Sequence, residues 1–222
     1  MSSQVHPAHE TGVRVGNRQL EGTLAVPASA IGLVIFAHGS GSSRLSPRNT
    51  SVARALQARG LATLLFNLLS AHEAADRANV FDIPLLGNRV IEAITWARGF
   101  EATSGLPIGL FGASTGAAAA LVAASQRTGD IAAVVSRGGR PDLAGRYLAG
   151  VRAPTLLIVG GADHGVIELN EAALAALTCE KHLEIVPGAT HLFEEPGTLD
   201  RVVQIAGDWY ETHFRAASAH TR

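Results

Sequence analysis

The pentapeptide Gly112-Ala113-Ser114-Thr115-Gly116 sits between an apolar run that ends at Phe111 and an alanine-rich run that begins at Ala117. A strand-length apolar run, a small-residue break and a long run suited to a helix describe a strand, a sharp turn and a helix in direct succession. A serine at the tip of such a turn is lifted clear of the sheet edge. Glycines on either side let strand and helix approach closely where a Cβ would clash. The pattern G-x-S-x-G decides little by itself. With 24 Gly and 14 Ser in 222 residues, it arises by chance about 0.16 times per chain. What decides is its place among the other elements.

Short apolar runs alternate with helical patterns along the whole chain, the mark of βαβ units and a largely parallel sheet. Strands are expected at Leu20 to Val26, Leu33 to His38, Ala62 to Leu68, Pro107 to Gly112, Ala132 to Ser136, Thr155 to Gly160 and Leu183 to Val186. Val13 to Gly16 is expected to pair with the first of these as an antiparallel edge hairpin. Helices are expected near Pro47 to Arg59, Pro84 to Arg98, Thr115 to Arg127, Val166 to Leu177 and Thr198 to His213, with a shorter one over Asp142 to Leu148. Runs as apolar as Leu33-Val34-Ile35-Phe36 need cover on both faces. The expected fold is therefore α/β: a mostly parallel sheet of about seven or eight strands with helices on both faces. A hydrophobic content of 47% and a length of 222 residues suit one domain, expected over 11–217 with tails at 1–10 and 218–222.

A net charge of −1 gives no field to attract nucleic acid or an anionic membrane. The first ten residues lack a basic segment followed by an apolar one, and no apolar run reaches the ~18 residues of a membrane span. With Cys179 as the one cysteine, the expectation is a soluble, cytoplasmic protein without disulfides. No His/Cys/Asp cluster has metal spacing, so neither a metal nor any other cofactor is expected.

Ligands of parallel sheets bind at the carboxyl ends of the strands, which is where chemistry has to be sought. A serine hydroxyl needs a base in hydrogen-bond reach, and a histidine base needs a carboxylate to hold its tautomer. Gly160-Gly161-Ala162-Asp163 ends one strand, and Ala189-Thr190-His191 follows the last. Ser114, Asp163 and His191 thus fall at the same edge, in the order nucleophile, acid, histidine found in α/β-hydrolases. Two backbone N–H groups are expected to form the oxyanion hole, one from Thr115 and one from Ser40 in the loop Phe36-Ala37-His38-Gly39-Ser40-Gly41-Ser42.

Phe36 to Ser42, Phe111 to Ala118, Val159 to Asp163 and Pro187 to Phe193 together resemble the dienelactone-hydrolase-like branch of the α/β-hydrolase superfamily, and the resemblance covers nearly the whole chain. True dienelactone hydrolases carry a cysteine nucleophile where this chain has Ser114. The resemblance therefore implies a serine esterase acting on a small-molecule ester or lactone.

Plainer readings compete at several positions. Ser114 and Asp163 both stand where a helix N-cap is wanted. His38 is read as structural support of its loop, while His72, His164 and Cys179 are given no chemistry. Arg44, Arg48, Arg137 and Arg140 all fall near the carboxyl edge, where guanidinium forks suit carboxylate or phosphate. The plainer reading pairs them with Asp76, Asp82, Asp142 or Glu194, and it is kept ahead. Leu68, Leu69 and Phe193 are placed at the acyl side by loop position. Only Arg137 to Ala153 joins its strand to the next, so no separate cap domain is expected, and an open site suits short acyl groups. Two alternatives stay open: an acyltransferase on the same triad, and a non-catalytic ligand-binding or sensor protein that keeps the fold. So do a stand-alone version of a domain that works beside a partner enzyme, the protein partner and the oligomeric state.

Overall fold

The computed structural model describes residues 9–220. Residues 1–8 and 221–222 of the expected tails lie outside the described residues. Eight strands, β1 (Glu10–Val15), β2 (Leu20–Ala25), β3 (Leu33–Ala37), β4 (Ala62–Phe66), β5 (Ile108–Ala113), β6 (Ile131–Arg137), β7 (Thr155–Gly160) and β8 (Lys181–Val186), form one open sheet in the order β1-β2-β4-β3-β5-β6-β7-β8. β2 pairs antiparallel with both β1 and β4, and every other pairing is parallel. The helices are α1 (Pro47–Ala58), α2 (Ala71–Ala74), α3 (Arg77–Val80), α4 (Ile83–Gly99), α5 (Thr115–Gln126), α6 (His164–Ala176) and α7 (Thr198–His220), with a 3-10 segment over Pro141–Gly150.

Alternation along each strand divides the core in two. Leu33 and Ile35 face one layer with Leu64, Leu110 and the helices α4 and α5. Val34 and Phe36 face the other with Phe111, α1 and α7. This is the two-residue period of a strand buried on both faces. Helix α5 can pass under the sheet because six of the eight residues from Ala117 to Ala124 are alanines, and all eight are buried. Its neighbour α4 approaches at Gly87, where an added Cβ would meet Val122 Cγ1 at 2.7 Å.

Three features depart from the pattern read in the chain. The segment after β4 makes two one-turn helices, α2 opened by a capping box in which Ser70 and Glu73 bond each other's backbone N–H. That Ser-x-x-Glu signal is present in the sequence, but no apolar periodicity follows it. β1 starts at Glu10, inside the stretch expected as a tail. α7 runs past His213 to His220, because Phe214 stacks on Tyr210 and both rings are buried over Gly109. The Tyr210 hydroxyl donates to the Leu110 carbonyl at 2.6 Å, and burial holds its pKa well above the usual tyrosine value.

Between β6 and β7 there is only the 3-10 segment, and no inserted unit covers the carboxyl edge there. Among the described residues no helix is long and apolar enough to cross a membrane.

Candidate active site

Ser114 stands at the end of β5 with φ +51° and ψ −124°, a left-handed conformation that a residue with a Cβ adopts only under constraint. The constraint is steric. A Cβ on Gly116 would lie 2.1 Å from the Ala37 carbonyl oxygen, and one on Gly112 would lie 2.4 Å from Ala117 Cα. The turn is therefore clamped between β3 and α5, and the serine projects from it. Although Ser114 occupies the N-cap position of α5, its side chain makes no capping bond.

Asp163 follows β7 and His191 lies in the loop after β8. The His191 Nδ1 is 2.7 Å from Asp163 Oδ2. Asp163 also sits at a helix N-cap, of α6, and its carboxylate likewise makes no capping bond. Both side chains are thus free of the local duty that would explain them without chemistry. The two loops approach because Gly160 has no Cβ, which would meet the Ala189 carbonyl at 2.3 Å. Glu195, which the sequence pattern does not single out, ties the histidine loop: it accepts from Thr190 N at 3.1 Å and Thr190 Oγ1 at 2.6 Å. Those bonds hold its carboxyl below the usual glutamate range.

The loop after β3, expected to supply half of an oxyanion hole, differs in one detail from expectation. The Ser40 N–H donates to Thr115 Oγ1 at 2.9 Å, so the two expected donors are joined to each other through the Thr115 hydroxyl. Nothing in the sequence signals this use of the Thr115 side chain, of which only the backbone N–H is expected to serve. Gly39 packs against Ser114, since a Cβ there would lie 2.9 Å from Ser114 Cβ. His38 anchors the loop from behind. Leu68 N donates to its Nε2 at 3.0 Å, so the proton is on Nδ1, which donates to the Gly39 carbonyl at 3.0 Å. Burial holds this neutral imidazole below the usual histidine pKa.

Two cavities flank the loop after β3. One, of about 330 Å³, is lined by Leu68, Leu69, Val80 and Leu86. The other, of about 290 Å³, is lined by Ser114, His191, Arg48, Asn49 and Arg137. Of the residues expected at the substrate mouth, Leu69 lines the apolar cavity and Arg137 the polar one. Phe193 is buried below, its ring centroid 5.9 Å from the Arg137 guanidinium carbon. Arg44 turns away to Glu21 at 3.3 Å. Arg140 forms a fork with Asp142 at 2.9 and 2.8 Å. Nearby carboxylates have taken these two arginines, and neither lines either cavity.

No protein-family model matches the chain. A dienelactone hydrolase from Anabaena variabilis has 52% sequence identity and superposes with a TM-score of 0.90, covering 94% of this chain and 99% of its own. Est1E from Butyrivibrio proteoclasticus shares the fold at 15% identity and TM-score 0.77, over 93% of this chain and 99% of its own. So does a lidless α/β serine hydrolase from Xanthomonas campestris at 22% and 0.73, over 95% and 97%. Curated relatives from two Mycobacterium tuberculosis strains are 55% identical over 205 residues and are named, provisionally, phosphoribosyl transferases. The match takes in 92% of this chain, which spans 46% of their length.

Proposed function

The chain belongs to the dienelactone-hydrolase-like α/β-hydrolases, and from that premise we propose that it is a serine hydrolase cleaving small carboxylic esters or lactones through an acyl-enzyme. The observation that carries this reading is the 2.7 Å bond between His191 and Asp163, at the strand edge where Ser114 projects. The carboxylate fixes Nδ1 as the protonated nitrogen, which leaves Nε2 to act as base.

In the proposed reaction Ser114 Oγ attacks the carbonyl carbon as its proton passes to His191 Nε2. The resulting oxyanion is held by the N–H of Thr115, at the positive end of α5, and by that of Ser40 once Thr115 Oγ1 yields it. Collapse breaks the ester C–O bond, and the leaving alcohol takes the proton from His191. Water then enters by the same route in reverse and releases the acid. Neither metal nor cofactor is called on. The open carboxyl edge and the small apolar cavity favour short acyl groups.

The transferase name of the curated relatives belongs to chains about twice this long. A serine on a clamped turn beside a His–Asp pair is not machinery for phosphoribosyl transfer. We therefore assign that activity to the part of those relatives outside the match.

Replacing Ser114 with alanine tests the reading. Turnover of p-nitrophenyl butyrate should fall about 10⁵- to 10⁶-fold in Ser114→Ala, leaving what binding and the oxyanion hole supply. Retention of more than about a tenth of the activity would remove Ser114 from its role.

A further inference from the structure

Arg137 ends β6 beside the elbow and is 5% exposed. Its Nη2 donates to Asn49 Oδ1 at 3.0 Å, and its Nε is buried without a partner. No carboxylate compensates it among the described residues. The charge it does feel is that of Arg48, and burial together with this repulsion pushes its pKa down to about 10. It remains a cation at neutral pH. Removing one partner of a buried pair is strongly unfavourable, and Arg137 stands as though its partner were missing. The cavity it lines also receives Arg48 and the N-terminus of α1, capped by Ser46. Arg48 gives one nitrogen, Nη1, to the exposed Glu194 at 2.9 Å. Two arginines and the first turn of α1 thus line one concavity together with Ser114.

We propose that this cavity seats a phosphate monoester carried by the leaving alcohol of the substrate, making the protein a hydrolase of short acyl esters of phosphorylated alcohols. The orientation rests on the serine-hydrolase reading. His191 must hand its proton to the leaving oxygen, and it lines this cavity but not the apolar one. The alcohol therefore lies toward Arg137 and the acyl group toward Leu69. A phosphate dianion matches the paired guanidiniums better than a single carboxylate does. The cavity, at about 290 Å³, has room for roughly ten waters, enough for a phosphate on a two- or three-carbon alcohol. In the reaction the ester C–O bond breaks and the Ser114 Oγ–acyl bond forms. The alcohol oxygen gains the proton from His191, and every P–O bond stays intact.

The test compares three butyryl esters: of glycerol 3-phosphate, of glycerol, and of glyceric acid. The phosphate ester should be preferred in kcat/KM by about 50-fold or more over the neutral ester and by about tenfold over the carboxylate. Arg137→Gln should cut the phosphate-over-neutral ratio at least about tenfold, and the half-exposed Arg48→Gln, where folding is not at risk, several-fold and mainly through KM. Equal rates on all three esters, a preference for the carboxylate, or a ratio untouched by both variants would overturn the proposal. Calorimetry separates it from the reading it rests on. Glycerol 3-phosphate should bind Ser114→Ala, and this binding should vanish when Arg137→Gln is added. Binding of that kind without hydrolysis of any ester would keep the phosphate seat and sink the hydrolase. Hydrolysis of neutral esters without phosphate binding would do the reverse.

Discussion

At the scale of single residues, the site is made of side chains relieved of structural duty. Asp163 caps nothing and meets His191 instead, so Asp163→Asn should separate catalysis from stability. We expect kcat to fall by about 10⁴-fold through loss of the correct imidazole tautomer, with the thermal midpoint moving by no more than about 4 °C. A fall under about tenfold would deny Asp163 its orienting role. His38 does the opposite work, with both ring nitrogens committed to backbone. Its pKa is lowered on folding, so the unfolded chain binds the proton more readily. Stability is therefore full above the unfolded value of ~6.5 and is lost as pH falls from there toward the folded value. His213, also lowered by burial, adds a loss of the same sign. Thermal midpoints at pH 7.5 and 5.5 should thus fall less steeply in His38→Gln than in the parent protein. Equal slopes would contradict the assignment.

At the scale of elements, close backbone approach positions the chemistry. β3, β5 and α5 meet at Gly112 and Gly116 with no room for a methyl. Gly116→Ala should cost about 3 kcal/mol or more, since the clash is with the Ala37 and His38 carbonyls rather than a side chain that could swing aside. Urea denaturation midpoints measure this, and an unchanged midpoint would show that the turn is not clamped. The same elements explain what the sequence revealed and what it hid. Strand identity was legible because Leu33-Val34-Ile35-Phe36 and its counterparts are apolar on both faces, and the elbow because glycine spacing is itself a steric statement. The one-turn helices α2 and α3 were not, because a four-residue helix has no periodicity to detect. The end of α7 was missed because what holds it is a tertiary contact, Phe214 over Gly109. The loop arginines were legible in part: Arg140 and Arg48 pair with Asp142 and Glu194, two of the carboxylates offered by the sequence, whereas Arg44 is taken by Glu21 on β2 and Arg137 finds no carboxylate among the described residues.

At the scale of the whole molecule, the open sheet brings three distant loops to one edge and leaves that edge uncovered between β6 and β7. The near-complete superposition on the Anabaena variabilis dienelactone hydrolase places the chain in its family, and with Ser114 at the turn after β5 the proposed acyl intermediate is an oxygen ester rather than a thioester. That intermediate is the centre of the account, and pre-steady-state mixing with p-nitrophenyl acetate measures it directly. The expected result is a burst of one nitrophenolate per chain, with an acetyl group on Ser114 in the intact-mass spectrum of the quenched protein and neither signal in Ser114→Ala. A folded protein that gives no burst, no adduct and no steady turnover would contradict the account and favour a ligand-binding protein built on the hydrolase fold.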